Sequence, residues 1–146
     1  MRGDKKREKR ILKYLDLWSD FLGVNQTYHL EAVIIDTCSC NSEGMLTEGI
    51  PLAVTEVQFP YRDATISFTR EGVDECEEEE LERVVIHELL HVIMSPMGTR
   101  GGWKAISRMQ DLPDKDLLSV LSIFEEEVTD VLTRVLLRLK DGKMKG

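Results

Sequence analysis

The sequence predicts an α+β fold in one domain. Strand-like segments are confined to the stretch between Tyr28 and Phe68, while the segments before and after it repeat their apolar residues at helical spacing. The 146 residues contain no internal repeat, low-complexity tract or break in composition, so residues 1–146 are expected to share one core.

The first helix is marked by Ile11, Leu15, Trp18 and Leu22, one apolar stripe with charges between its members, which is an amphipathic helix and not a signal peptide. Before it, Arg2, Lys5, Lys6, Arg7, Lys9 and Arg10 crowd the start, and residues 1–10 read as a basic, disordered, solvated tail. Tyr28 to Cys38 holds a β-branched apolar run closed by Asn41-Ser42-Glu43-Gly44, a strand and then a turn. Leu52 to Phe59 and Ala64 to Phe68 alternate on either side of Pro60-Tyr61-Arg62-Asp63, giving two more strands of a small mixed or antiparallel sheet. From about Cys76 to Met94 the apolar period is again helical, with Asp74 and Glu75 placed to cap the start and Ser95-Pro96 to end it. Met97 to Trp103 is punctuated by glycines and reads as loop; a last helix starts near Leu112 to Asp116, with Pro113 in its first turn, and runs to about Lys140.

The formal net charge of -8 argues against nucleic acid as a partner. No apolar run approaches the ~18 residues that cross a bilayer, so no membrane insertion is expected. Cys38, Cys40 and Cys76 are an odd set without CxxC spacing, which fits a reducing, cytoplasmic setting. Cys38 and Cys40 read as small residues at a strand end rather than metal ligands.

Chemistry enters with His87-Glu88-Leu89-Leu90-His91, set inside the apolar run Val84 to Met94. Residues four apart on a helix lie one turn above each other, so His87 and His91 can offer two imidazole nitrogens to one ion while Glu88 falls beside it. Three polar groups in so apolar a segment are costly without partners, and a bound ion supplies one. Zinc suits imidazole ligands; a water in its open position loses a proton near neutrality, and Glu88 is placed to take that proton.

At these residues the chain resembles the zincin metallopeptidases, whose HExxH signature sits on an active-site helix after a small sheet. The resemblance implies a minimal zincin-like fold, Zn2+ as cofactor, Glu88 as general base, and a third metal ligand from a later helix. Glu126-Glu127-Val128-Thr129-Asp130 resembles the ExxxD pattern of the glutamate zincins, which implies Glu126 as that ligand, with Asp130 supporting a ligand histidine. It is also similar to the third-ligand helix of small metallopeptidases of phages and mobile elements, with Thr129 and Thr133 as the small residues that permit close helix contact. Periodicity points elsewhere: Leu121, Phe124, Val128, Val131, Leu132, Val135 and Leu139 form an apolar stripe centred nearly opposite Glu126, and Glu125 and Glu127 lie nearer its edges. Such a stripe could pack on the sheet or on a neighbouring chain, so Glu125 and Glu127 stay open as alternatives.

The activity implied is hydrolysis of peptide bonds in a protein or peptide substrate, aligned along a free sheet edge, for which Ala64 to Phe68 is the candidate. His29, Tyr61, Arg62 and Arg100 are the candidates to stabilise a developing oxyanion. The alternative is a phage structural or assembly protein that keeps the fold and metal site with little proteolysis, acting as a homo-oligomer or with a phage or host protein.

Overall fold

Charges that look like a solvated tail in the sequence are what open the fold. In a computed structural model, which describes residues 2–36, 52–58, 61–96 and 115–145 and side chains for 3–36, 52–58, 61–96 and 120–142, residues 2–10 form the first half of helix α1 (Arg2–Phe21). The expected disordered tail is therefore corrected. The reason lies some 65 residues away in the acid-rich stretch. Arg7 donates to both carboxylate oxygens of Asp74, at 2.8 and 2.7 Å, and one to Asp4 at 2.9 Å. Arg10 binds Glu78 at 2.8 Å and the carbonyls of Val73 and Cys76 at 2.7 and 3.1 Å. Asp4 in turn accepts from Arg70, which also meets Asp36; the guanidiniums of Arg70 and then Arg7 hold the Asp4 carboxyl down at about 2. Single exposed pairs contribute about 0–1 kcal/mol each, but here they are linked, tying α1 to Arg70, Asp74 and Glu78.

The other face of α1 buries Ile11, Leu15 and Trp18 against helix α4 (Glu78–Met94), as their spacing predicts. Gly23, at φ 75°, turns the chain out of α1 in a conformation that favours glycine, and the single turn α2 (Val24–Thr27) leads into the sheet.

The sheet comprises β1 (His29–Ile35), β2 (Ala53–Gln58) and β3 (Asp63–Thr69), in the order β1-β3-β2. β1 runs parallel to β3, from His29 opposite Asp63 to Ile35 opposite Thr69; β2 runs antiparallel to it, from Ala53 opposite Phe68 to Gln58 opposite Asp63. Ala64 to Phe68 is thus the central strand, not the free edge expected. Alternation reports which face of a strand is buried and says nothing of how many neighbours it has. Among the described residues, the edges are β1 and β2. Ala53, Thr55 and Val57 of β2 point inward, and β2 is the strand that packs on α4.

Thr69 caps helix α3 (Arg70–Glu75) by accepting from the amide of Gly72. A side chain at Gly72 would come within 2.4 Å of Leu52 Cδ1 and 2.5 Å of Thr69 Oγ1, so glycine permits the close approach. Asp74 and Glu75 end α3 and do not cap α4, correcting that expectation; Glu78, Glu79 and Glu80 fill the first turn of α4 instead, where the helix dipole favours them. α4 ends at Met94, and the buried Ser95 hydroxyl lies 3.0 Å from that of Tyr28.

The last helix, α5 (Lys115–Lys145), rests on α4 through a face bearing Glu125, Thr129 and Thr133, all buried. Further along, Leu136 and Leu137 reach the core, and Lys140 Nζ donates at 2.7 Å to Glu82, which also accepts from Trp18 Nε1 at 2.9 Å. Glu82 so joins α1, α4 and α5 at one buried point. The apolar stripe, for which the sheet and a neighbouring chain are the two options, does not pack on the sheet but faces outward, with Phe124 61% exposed. Cys38, Cys40, the loop expected at Met97 to Trp103 and Pro113 lie outside the described residues. No helix among the described residues is long and apolar enough to cross a membrane.

Candidate metal centre

α4 builds the site because its 3.6-residue period sends neighbouring residues to different neighbours. His87 and His91, one turn apart, face α5, while Glu88 turns toward β2. The His87 and His91 Nε2 atoms stand 3.2 Å apart, and the Glu126 carboxylate spans them, with Oε2 at 3.0 Å from His87 Nε2 and Oε1 at 3.0 Å from His91 Nε2. One donor atom from each of His87, His91 and Glu126 falls within 4.8 Å of the others, so these three residues could hold a metal ion.

What aims the rings is the carboxylates behind them. His91, fully buried, has its Nδ1 at 2.7 Å from Glu125 Oε2, and His87 has its Nδ1 at 3.1 Å from Asp130 Oδ1. An ionised carboxylate can only accept, so each Nδ1 carries the proton and, in the neutral ring, each Nε2 presents its lone pair to the shared point. Without a cation the rings and the carboxylates pair with one another. Burial opposes a charged ring, yet hydrogen bonds to Glu125 and Glu126 overcome it and raise the His91 imidazole to about 9; His87 is raised too, with Glu126 the main partner working against burial. The Glu126 carboxyl, despite its own burial, is driven well below the usual range by the two rings.

The donor set fits zinc. Two imidazoles and one carboxylate are a catalytic zinc set, and two nitrogens each about 2.0–2.1 Å from a tetrahedral ion stand about 3.3 Å apart, close to the 3.2 Å between the rings.

α5 can come this near because its inner face is small. Thr129 and Thr133 are buried, and their hydroxyls are satisfied within the helix, by the carbonyls of Glu126 at 2.9 Å and Thr129 at 2.6 Å. Of the three glutamates left open by the sequence, Glu126 joins the cluster, Glu125 stands behind His91, and Glu127 is exposed.

Glu88 is buried, and the Thr55 hydroxyl of β2 donates to its carboxylate, with the Glu88 carbonyl 3.3 Å away. Thr55 escaped the reading of the sequence; its only signal is a polar residue at an inward position between Ala53 and Val57. Of the residues considered for an oxyanion, Tyr61 and Arg62 form the β2–β3 turn, with Arg62 at φ 60°, and His29 is an exposed first residue of β1. Arg100 lies outside the described residues.

No protein-family model matches the chain, and no curated protein or solved structure is significantly similar to it.

Proposed function

We propose that the chain is a zinc-dependent metallopeptidase of zincin type, with His87, His91 and Glu126 as metal ligands and Glu88 as general base. The observation that carries this reading is the convergence of two carboxylate-backed Nε2 atoms and the Glu126 carboxylate on one point beside the buried Glu88. The order of elements supports it as well: an antiparallel strand, β2, packs on the helix that bears the histidines, and the third ligand comes from a later helix. Such a protein would work in a reducing cytoplasm.

A zinc ion held there supplies Lewis acidity and makes a water acidic near neutral pH. Glu88 takes the proton of the attacking water, and Thr55 fixes the orientation of its carboxylate for that transfer. Glu125 and Asp130 keep the histidine rings in the ligating tautomer. β2, which pairs only with β3 among the described residues, offers its outer side to an extended peptide by backbone pairing, next to the helix that carries Glu88.

The test is metal content by mass spectrometry on untagged protein, together with hydrolysis of a quenched-fluorescent peptide library. Wild type should carry about one zinc per chain and Glu126→Ala far less, while Glu88→Gln should keep zinc and lose about 10²–10⁴-fold in rate. Wild type without metal would overturn the reading. Zinc without Glu88-dependent cleavage would instead favour a structural or phage-assembly role.

A further inference from the structure

α5 carries a second pattern that the metal centre does not use. Leu121, Phe124, Val128, Val131 and Val135 follow one another in steps of three and four, the a and d positions of successive heptads. Thr129 and Thr133 meet α4 from the opposite side of the helix, and Glu125 does so from the flank next to Leu121. Phe124, Val128, Val131 and Val135 are exposed, as are Val120, Ile123, Leu132 and Leu139 around them. These eight side chains expose on the order of 600 Å² per chain, the upper end of what monomers ordinarily leave in one apolar patch and near the ~800 Å² each partner gives to a specific interface.

The charges beside the seam select its occupant. In this register Glu127 and Arg134 occupy successive g positions, and both are exposed. A parallel pair of α5 helices would set Glu127 against Leu132 and Arg134 against Leu139, leaving both charges opposite apolar side chains. An antiparallel pair stacks a against d: Phe124 over Val135 of the second copy and Val128 over Val131. That same register brings Glu127 beside Arg134 of the second copy, twice by symmetry. The Glu127–Arg134 flank of the seam is thus self-complementary in charge, as a two-fold interface requires. We propose that α5 pairs antiparallel with α5 of a second copy of this chain through Phe124, Val128, Val131 and Val135, clasped by two Glu127–Arg134 ion pairs. The paired face lies away from Glu126, so the dimer holds two outward-facing metal centres. The pairing does not depend on whether the centre is catalytic.

The test is sedimentation equilibrium on the full chain at up to about 100 μM, with far-UV circular dichroism to check folding. Wild type should sediment at twice the 16.7 kDa of one chain. Val128→Glu with Val131→Glu should be a folded monomer. Glu127→Arg and Arg134→Glu should each weaken the dimer by about 10-fold or more, and the two together should restore it to within about 3-fold of wild type. A wild type that stays monomeric overturns the proposal, as does a dimer indifferent to the single reversals or not restored by the double one. Because the reversals lie at exposed positions, they decide the matter even if the valine variant fails to fold.

Discussion

Replacing Glu125 and Asp130 separately, as Glu125→Gln and Asp130→Asn, should reveal an unequal division of labour behind the two histidines. Each acid holds one imidazole by Nδ1, but in different surroundings. Glu125 is 5% exposed and 2.7 Å from a fully buried ring, whereas the Asp130 side chain is 54% exposed and 3.1 Å from its ring. A buried hydrogen bond to a charged group contributes about 1.5–3 kcal/mol, so Glu125→Gln should weaken zinc binding by about 10–100-fold. The solvent-screened Asp130 bond is worth about 0.5 kcal/mol, and Asp130→Asn should cost about 2–3-fold. Competition titration against a chromophoric zinc chelator, at fixed pH and ionic strength, reads both values directly. Asp130→Asn costing as much as Glu125→Gln, or Glu125→Gln leaving affinity unchanged, would refute the assignment of ring orientation to the buried acid.

Two further outcomes test the surroundings of the site and the start of the fold. Thr55→Val keeps the shape of a buried side chain but removes the hydroxyl that donates to Glu88; denaturant unfolding should show a loss of about 1–3 kcal/mol, while Thr55→Ser should stay near wild type. At the other end, Asp4 has its carboxyl held at about 2, below its ordinary 3.8, so the stability it adds is present above the ordinary value and is lost as pH falls toward 2. The gap in melting temperature between wild type and Asp4→Asn should therefore be open near about pH 6 and close between about pH 4 and 2; a gap that does not change with pH would contradict the Arg70–Asp4–Arg7 linkage.

How much of this could be read beforehand depended on whether the deciding contact was local. His87, Glu88 and His91 were legible because a helix fixes the relation of residues one turn apart. The α+β class and the run of three strands and two long helices were legible from period alone. The N-terminal half of α1 was not, since Arg7 and Arg10 are held by Asp74 and Glu78, partners 67 and 68 residues away. Nor was the sheet order, because the alternation of Ala64, Ile66 and Phe68 serves a central strand and an edge strand equally. Glu126 was legible through the resemblance of its motif, but the part of Glu125 was not, and periodicity argued against Glu126 by a rule that usually works: the apolar stripe of a helix marks its buried side. On α5 the stripe is exposed, and the side that meets α4 near the histidines is made of glutamates and threonines.

With a metal held at that polar seam, docking and ligation would be a single event. α1, α4 and the sheet supply the fully buried apolar side chains of the core, to which α5 adds Leu136 and Leu137 at its edge, whereas near the centre α5 adds chiefly carboxylates and hydroxyls. Five of its residues answer the needs of two histidines on α4, Glu125, Glu126 and Asp130 by contact and Thr129 and Thr133 by allowing close approach, and the same contacts help hold that part of the helix down. A cation at the centre would then act as a rivet between two layers, and without it the joint there rests on the hydrogen bonds between the α5 carboxylates and the two α4 rings. The supply of metal in the surroundings would in that way add to what keeps the closing helix seated, beside Leu136, Leu137 and the Lys140–Glu82 pair.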